Sequence, residues 1–295
     1  MKSAIQLHKL LIILLILSQF QYSWGRNISV TDLRCEYHVN PIGIDIEKPR
    51  LSWQIQSDGE NVKQLAYEIR VADLPQNLNK KNHLIWISGK VQSDNSVNVE
   101  YKGPALKSMH RVYWQVRIWG NLNEVTDWSE PAFWETGILD NDLWTASWIT
   151  VKSEIDGNGK WPAQYYRKEF SLNKKIKSAR IYATSLGLNQ LFLNGKKVGD
   201  QYFTPGWTSY HKRLQYQTYD VTRMLQEKNA FGAILADGWF RGKIGYHLPH
   251  SYYGNQLGLL LQLKVDYTDG TSETISTDKS WKYSNGPILQ SNIYD

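Results

Sequence analysis

Beyond residue 25 no long stretch keeps a helical hydrophobic period, and short alternating runs separated by turn formers take its place. "RLSWQIQ", "AYEIRVA", "SVNVEY", "VYWQVRIW" and "FWETG" follow one another within the first half of the chain. Gly, Pro, Asn and Asp clusters stand between them. Successive side chains of a strand point to opposite faces, so such runs suit strands that bury one face each. In "RVYWQVRIWG", Val112, Trp114, Val116 and Ile118 fall on one face, and Tyr113, Gln115, Arg117 and Trp119 on the other. Pro131 bends the chain before a last strand in "AFWETG". Residues 27–138 therefore read as one fibronectin-III-like or immunoglobulin-like β-sandwich.

The pattern breaks at "ILDNDLWTASWI" and resumes with "QYYRKEFSL". In "LNQLFLNGKKVGD", Asn194-Gly195 predicts a hairpin, because a type I′ turn needs positive φ at both central residues. Asp269-Gly270 predicts a second. "LGLLLQLKV" is apolar on both faces and predicts a central strand. "YDVTRMLQEKNAF" predicts a short helix capped by Asp220 or Thr222. Residues 140–295 read as a second sandwich of jelly-roll form. The fold class is thus all-β, with two β-sandwich modules.

The first 25 residues, "MKSAIQLHKLLIILLILSQFQYSWG", have a weakly basic start, an apolar run over Leu10–Leu17, and Ser23 and Gly25 before a cut. They read as a signal peptide, and the run is too short for a membrane span. The expectation is a secreted, periplasmic or cell-surface protein without a stable membrane span. Cleavage after Gly25 removes two lysines and no acid, lowering the formal charge from +6 to +4. The surplus is spread along the chain, which argues against nucleic acid as a partner. A single cysteine, Cys35, excludes an internal disulfide framework and reads as a buried small apolar residue.

Thirteen Trp and eighteen Tyr against seven Phe favour rings with a polar edge, suited to sheet surfaces and to sugar faces. "LADGWFRGKIGYH" concentrates such groups. Trp239 could stack on an apolar sugar face while Asp237 and Arg241 take hydroxyls, with glycines allowing close approach. The other reading pairs Asp237 with Arg241 to fix the loop and packs Trp239 against protein. Both stay open on sequence. His247 and His250 flank Pro249 without a third nitrogen or thiolate nearby, so a transition-metal site has little support. No P-loop, dinucleotide fingerprint or Gly-x-Ser-x-Gly elbow occurs. The chain has many acids, but no pair can be singled out as a general acid and base.

"NPIGIDIEKPRLSWQIQS" resembles the opening of bacterial α-L-rhamnosidases, glycoside hydrolase family 78. "LFLNGKKVGDQYFTPGWTSYHKRLQYQTYDVTRML", "LADGWFRGKIG" and "TDKSWKYSNGPILQSNIYD" resemble that family's N-terminal β-sandwich, in the expected order. Where the family has Gly-Asp-Gly-Trp, this chain has Ala236-Asp237-Gly238-Trp239. The resemblance implies an enzyme that continues beyond "SNIYD" into another sandwich and an (α/α)₆ barrel bearing the catalytic acids. No catalytic residue can be carried onto this chain, and the missing C-terminal barrel is an expected partner. Rhamnose-containing glycans are the implied ligands. The matching sandwich resembles carbohydrate-binding modules, with Asn189, Asp237, Trp239 and Arg241 as the candidates for contact. No cofactor is required. Calcium is an expectation from some relatives, with Asn189, Asp200 and Asp237 as oxygen donors near turns.

Overall fold

The computed structural model describes residues 28–121, 124–152, 161–245 and 250–292. The leader read as a signal peptide, residues 1–25, and His247 lie outside them. The strands are β1 (Ile28–Cys35), β2 (Ile42–Ile44), β3 (Arg50–Ser57), β4 (Gln64–Ala72), β5 (Trp86–Ile87), β6 (Val91–Gln92), β7 (Val99–Glu100), β8 (Arg111–Gly120) and β9 (Ala132–Thr136). They continue as β10 (Ile149–Thr150), β11 (Gln164–Ser171), β12 (Ile176–Leu186), β13 (Leu188–Leu193), β14 (Lys196–Lys197) and β15 (Gln217–Asp220). The last four are β16 (Lys228–Ala236), β17 (Gly258–Tyr267), β18 (Ser272–Ser276) and β19 (Lys282–Asn285). Among the described residues, a single turn, α1 (Gly238–Arg241), is the one α-helix. The all-β class and the two-sandwich architecture are as the alternation predicts.

The chain divides into two compact units. Of the described residues, the first holds those from Ile28 to Pro41, Lys48–Ala105 and Arg111–Trp134, and the second holds Ile42–Glu47, Leu106–His110 and those from Glu135 onward.

In the first unit β1-β3-β7 form one sheet, and β8 lies between β9 and β4 in the other, with β5 and β6 both pairing β4. The predicted inner face of β8 is inner: Val112, Trp114, Val116 and Ile118 are fully buried. Trp134 meets Trp114 and Tyr101 edge-on, at 6.5 and 5.5 Å between ring centres. Trp53 is buried and donates its indole N–H to Gln64 Oε1 at 3.0 Å, so the polar edge of the ring is satisfied inside the core. Cys35 is buried and free, and burial raises its thiol pKa, which suits packing and not nucleophilic chemistry.

The second unit is a sandwich of two antiparallel sheets. One runs β10-β17-β12-β15 with β18 also on β17, and the other runs β14-β13-β16-β11-β19. β17 is flanked on both edges, as its apolar sequence predicts. Leu259, Leu261, Leu263 and Val265 from β17 and Ile181 and Ala183 from β12 share a core with Leu191, Leu193, Phe231, Ala233 and Leu235 of the facing sheet. At the first predicted hairpin Asn194 and Gly195 have φ of 53° and 78°, the two positive values of a type I′ turn.

The predicted helix over "YDVTRMLQEKNAF" is absent. The segment holds the end of β15, one 3₁₀ turn over Thr222–Met224 and the start of β16. Asp220 Oδ1 accepts from Thr222 N at 3.0 Å and from its hydroxyl at 2.7 Å, bonds local to the turn, whose N-cap is Val221 with no side-chain cap bond. Propagation fails because Asn229, Phe231, Ala233 and Leu235 alternate into the core. Burying that strand face outweighs the few hydrogen bonds of a marginal helix.

Candidate functional site

β16 runs along the middle of its sheet and delivers the chain, after Ala236, into α1. The turn is held at both ends. Arg241 N donates to Asp237 O at 3.1 Å and Gly242 N to Gly238 O at 3.2 Å. Gly238 has φ of 53°, and a Cβ there would stand 2.4 Å from Leu188 Cγ, so no other residue fits without displacing β13. Asp237 N donates to Ser291 Oγ at 3.1 Å and Lys243 N to Asn292 Oδ1 at 3.0 Å, so residues 291–292 lie against α1.

Asp237 and Arg241 face each other on this turn, four residues apart. Arg241 Nε donates to Asp237 Oδ1 at 2.6 Å, with Nη2 at 2.5 Å from the same oxygen. Asp237 is 3% exposed and Arg241 0%. The guanidinium also lies over the Trp161 ring, 4.9 Å from its centre. Burial pushes the Asp237 carboxyl above the usual carboxylate range, and Arg241 and Ser291 pull it back. A carboxylate so enclosed and neutralised holds the turn together.

Trp239 points the other way. Its indole stacks on that of Trp207, 5.8 Å apart and 6° from parallel, and it meets the Phe203 ring at 6.0 Å, tilted by 55°. Trp207 is 52% exposed and Phe203 61%. Trp207 Nε1 donates to Tyr253 OH at 3.3 Å, extending the surface to Tyr253 and Tyr252. Asn189 anchors the loop that carries these rings. Thr204 Oγ1 donates to its carbonyl at 2.8 Å and Asn189 N donates to Thr204 O at 2.8 Å. The Asn189 amide donates to Ser185 Oγ at 2.8 Å, and its oxygen takes Thr204 Oγ1 at 3.3 Å.

The four residues singled out in the sequence thus divide. Asp237 and Arg241 meet each other inside the protein, Trp239 joins an exposed aromatic surface, and Asn189 ties that surface to β13. The sequence reading missed Phe203, Trp207 and Tyr253. "YFTPGW" carried two of them, but their union with Trp239 depends on the loop's anchorage to β13.

The proposed calcium donors do not fit a cation as a set. Asn189 is spent on Ser185 and Thr204, and the Asp237 charge is neutralised by Arg241. Asp200 alone is exposed. Among the described residues no three His, Cys, Asp or Glu side chains cluster for a metal. His250 meets Trp161 edge-on at 6.1 Å.

Comparison with known proteins follows the same two halves. Residues 30–140 match the family model of the Rha78A-like N-terminal immunoglobulin domain, and residues 174–295 match that of the alpha-L-rhamnosidase N-terminal domain. An α-L-rhamnosidase of Formosa agariphila is 34% identical, over 97% of this chain and 33% of its own length. One from an Alteromonas species is 38% identical, over 88% of this chain and 29% of its own. The crystal structure of Streptomyces avermitilis α-L-rhamnosidase complexed with L-rhamnose superposes with a TM-score of 0.82 at 27% identity, covering 90% of this chain and 42% of that one. The chain spans about a third of the length of the curated relatives it matches.

Proposed function

The chain carries the N-terminal domains of the glycoside hydrolase family 78 α-L-rhamnosidases, and from that premise we propose that it works as the accessory, non-catalytic front of such an enzyme. The whole enzyme would release terminal α-L-rhamnose from glycans. One observation carries the reading: two successive N-terminal domain models match residues 30–140 and 174–295, and the chain spans about a third of the relatives' length. The geometry supports it, because the carboxylate singled out in the sequence, Asp237, is 3% exposed and ion-paired with Arg241. Incubation of the purified chain with an aryl α-L-rhamnoside should release no phenol, and turnover above a heat-denatured control overturns the proposal.

The stacked Trp207–Trp239 pair, in which Trp207 is 52% exposed, favours a second reading, a rhamnose contact on the chain itself. An indole face and the apolar face of a deoxy sugar are complementary. Calorimetric titration with L-rhamnose should then give binding that Trp239→Ala abolishes, and heat at the level of dilution removes the reading. Repeating the titration with a chelator tests calcium, and the occupied Asn189 and Asp237 side chains lead to the expectation of no change.

Export completes the proposal. It rests on the apolar run over Leu10–Leu17 and the small residues Ser23 and Gly25 before Arg26. Mass spectrometry of the protein from its native host should find Arg26 as the first residue. A mature protein retaining Met1 or Lys2 contradicts it.

A further inference from the structure

The outer face of the β14-β13-β16-β11-β19 sheet carries a groove of about 570 Å³ that neither the Trp239 surface nor the α1 turn uses. Its floor is one rung of the sheet. In register across the strands stand Lys282, Arg167, Gly232, Phe192 and Lys197. Asn229, Phe231, Ala233 and Leu235 of β16 point into the core, so Ala230 and Gly232 lie on the outer face.

Gly232 has no internal reason to be glycine. A Cβ there would meet only Phe192 Cβ, at an ordinary 3.5 Å, and its backbone is not in the left-handed region. Glycine inside a strand weakens the strand, and it often marks where a ligand or another backbone comes close. Here the missing side chain opens the groove between Phe192 and Arg167. The Tyr165 ring lies along the same face, where Gly286 lets it settle: a Cβ on Gly286 would stand 2.0 Å from that ring.

The charges on this rung are also unfavourable for folding alone. Arg167 and Lys282 sit directly opposite each other on paired strands, and like charges so placed destabilise a sheet. Both are exposed. Glu169, 2.6 Å from Arg167, offsets one of the two. An anionic ligand would neutralise the remainder.

We propose that this groove binds an acidic saccharide chain, its carboxylate held by Arg167 and Lys282 and its ring lying over Gly232 against Phe192 and Tyr165. Charge complementarity selects the anion, and the aromatic walls around an open floor select a ring with an apolar C–H face. The choice of a saccharide rests on the accessory reading above. The two fail separately, since one is read by binding and the other by hydrolysis.

The test is calorimetry on the whole chain with oligogalacturonate, which carries one carboxylate per ring, and with a neutral xylo-oligosaccharide of equal length. Oligogalacturonate should bind and weaken as salt is raised, and the neutral chain should bind at least tenfold less tightly. Arg167→Gln with Lys282→Gln should weaken oligogalacturonate at least tenfold. So should Gly232→Leu, which fills the floor, once circular dichroism shows it folded. If that variant fails to fold, Phe192→Ala serves in its place. Equal binding of the two saccharides, or acidic binding indifferent to both Gly232→Leu and Phe192→Ala, overturns the proposal. Binding of neither overturns it too, and leaves the face for contact with another protein domain.

Discussion

Replacing Asp237 by Asn tests what the α1 turn is for. Asn keeps an oxygen for Arg241 Nε and nearly the same volume, so the change removes charge and little else. Two unit charges about 4 Å apart attract by about 4 kcal/mol at an effective dielectric of about 20. Burial works against the pair, as the raised Asp237 pKa shows, so part of this attraction already offsets desolvation. Deleting one partner of a buried pair leaves the other charge in the same dry surroundings, and typically costs about 3–5 kcal/mol. With Arg241 fully enclosed and the Trp161 face among its neighbours, the lower half of that range, about 3–4 kcal/mol, is expected. For a unit of this size that lowers Tm by about 6–16 °C, at about 2–4 °C per kcal/mol. Urea titration followed by tryptophan fluorescence gives the free energy. The double change Asp237→Leu with Arg241→Met should recover most of the loss, because no charge is then stranded. A single-variant loss below about 1 kcal/mol, or a double variant worse than the single, refutes the assignment.

Two glycines separate steric from conformational cost. Gly238→Ala meets Leu188 and a positive φ together and should cost more than about 2 kcal/mol, whereas Gly195→Ala has positive φ but open space and should cost about 1 kcal/mol, both by urea titration. On the acid side, hydrogen bonds from Lys168 and Ser280 lower the Asp278 pKa to about 2. A folded pKa below the unfolded one, about 3.9, means this contribution is complete above that value and is lost as pH falls towards 2. Asp278→Asn should therefore flatten the stability decline between about pH 4 and pH 2, as read from Tm against pH, and leave its slope above pH 5 unchanged.

Strands whose alternation was undiluted were legible before the structure. β8 shows its inner face residue by residue, with Val112, Trp114, Val116 and Ile118 buried, while on its other face Tyr113, Arg117 and Trp119 are half-buried and Gln115 is buried against the pattern. Asn194-Gly195 marks its hairpin because its backbone angles admit few other pairs. "YDVTRMLQEKNAF" misled because Asp220, a residue type that caps helices, precedes apolar residues whose spacing suits both a helix and the start of β16. Only the facing sheet decides between them. The opposite happened at "LADGWFRG", where three nearby glycines obscured a helical turn. Once that turn exists, positions 237 and 241 fall on one side and pair, while Trp239 falls on the other. Trp207 was out of reach for a different reason. Its partner lies on a separate loop, and the bonds from Asn189 to Thr204 that bring the two together are tertiary. The outer groove was equally hidden, because Gly232 becomes conspicuous only when its neighbours across two strands are known.

The most direct measurement of the accessory role is rhamnose release from an aryl α-L-rhamnoside, followed over hours at several concentrations of the purified, folded chain. The account predicts a rate equal to that of buffer and of heat-denatured protein at every concentration. A rate that rises in proportion to the chain and saturates with substrate would contradict it.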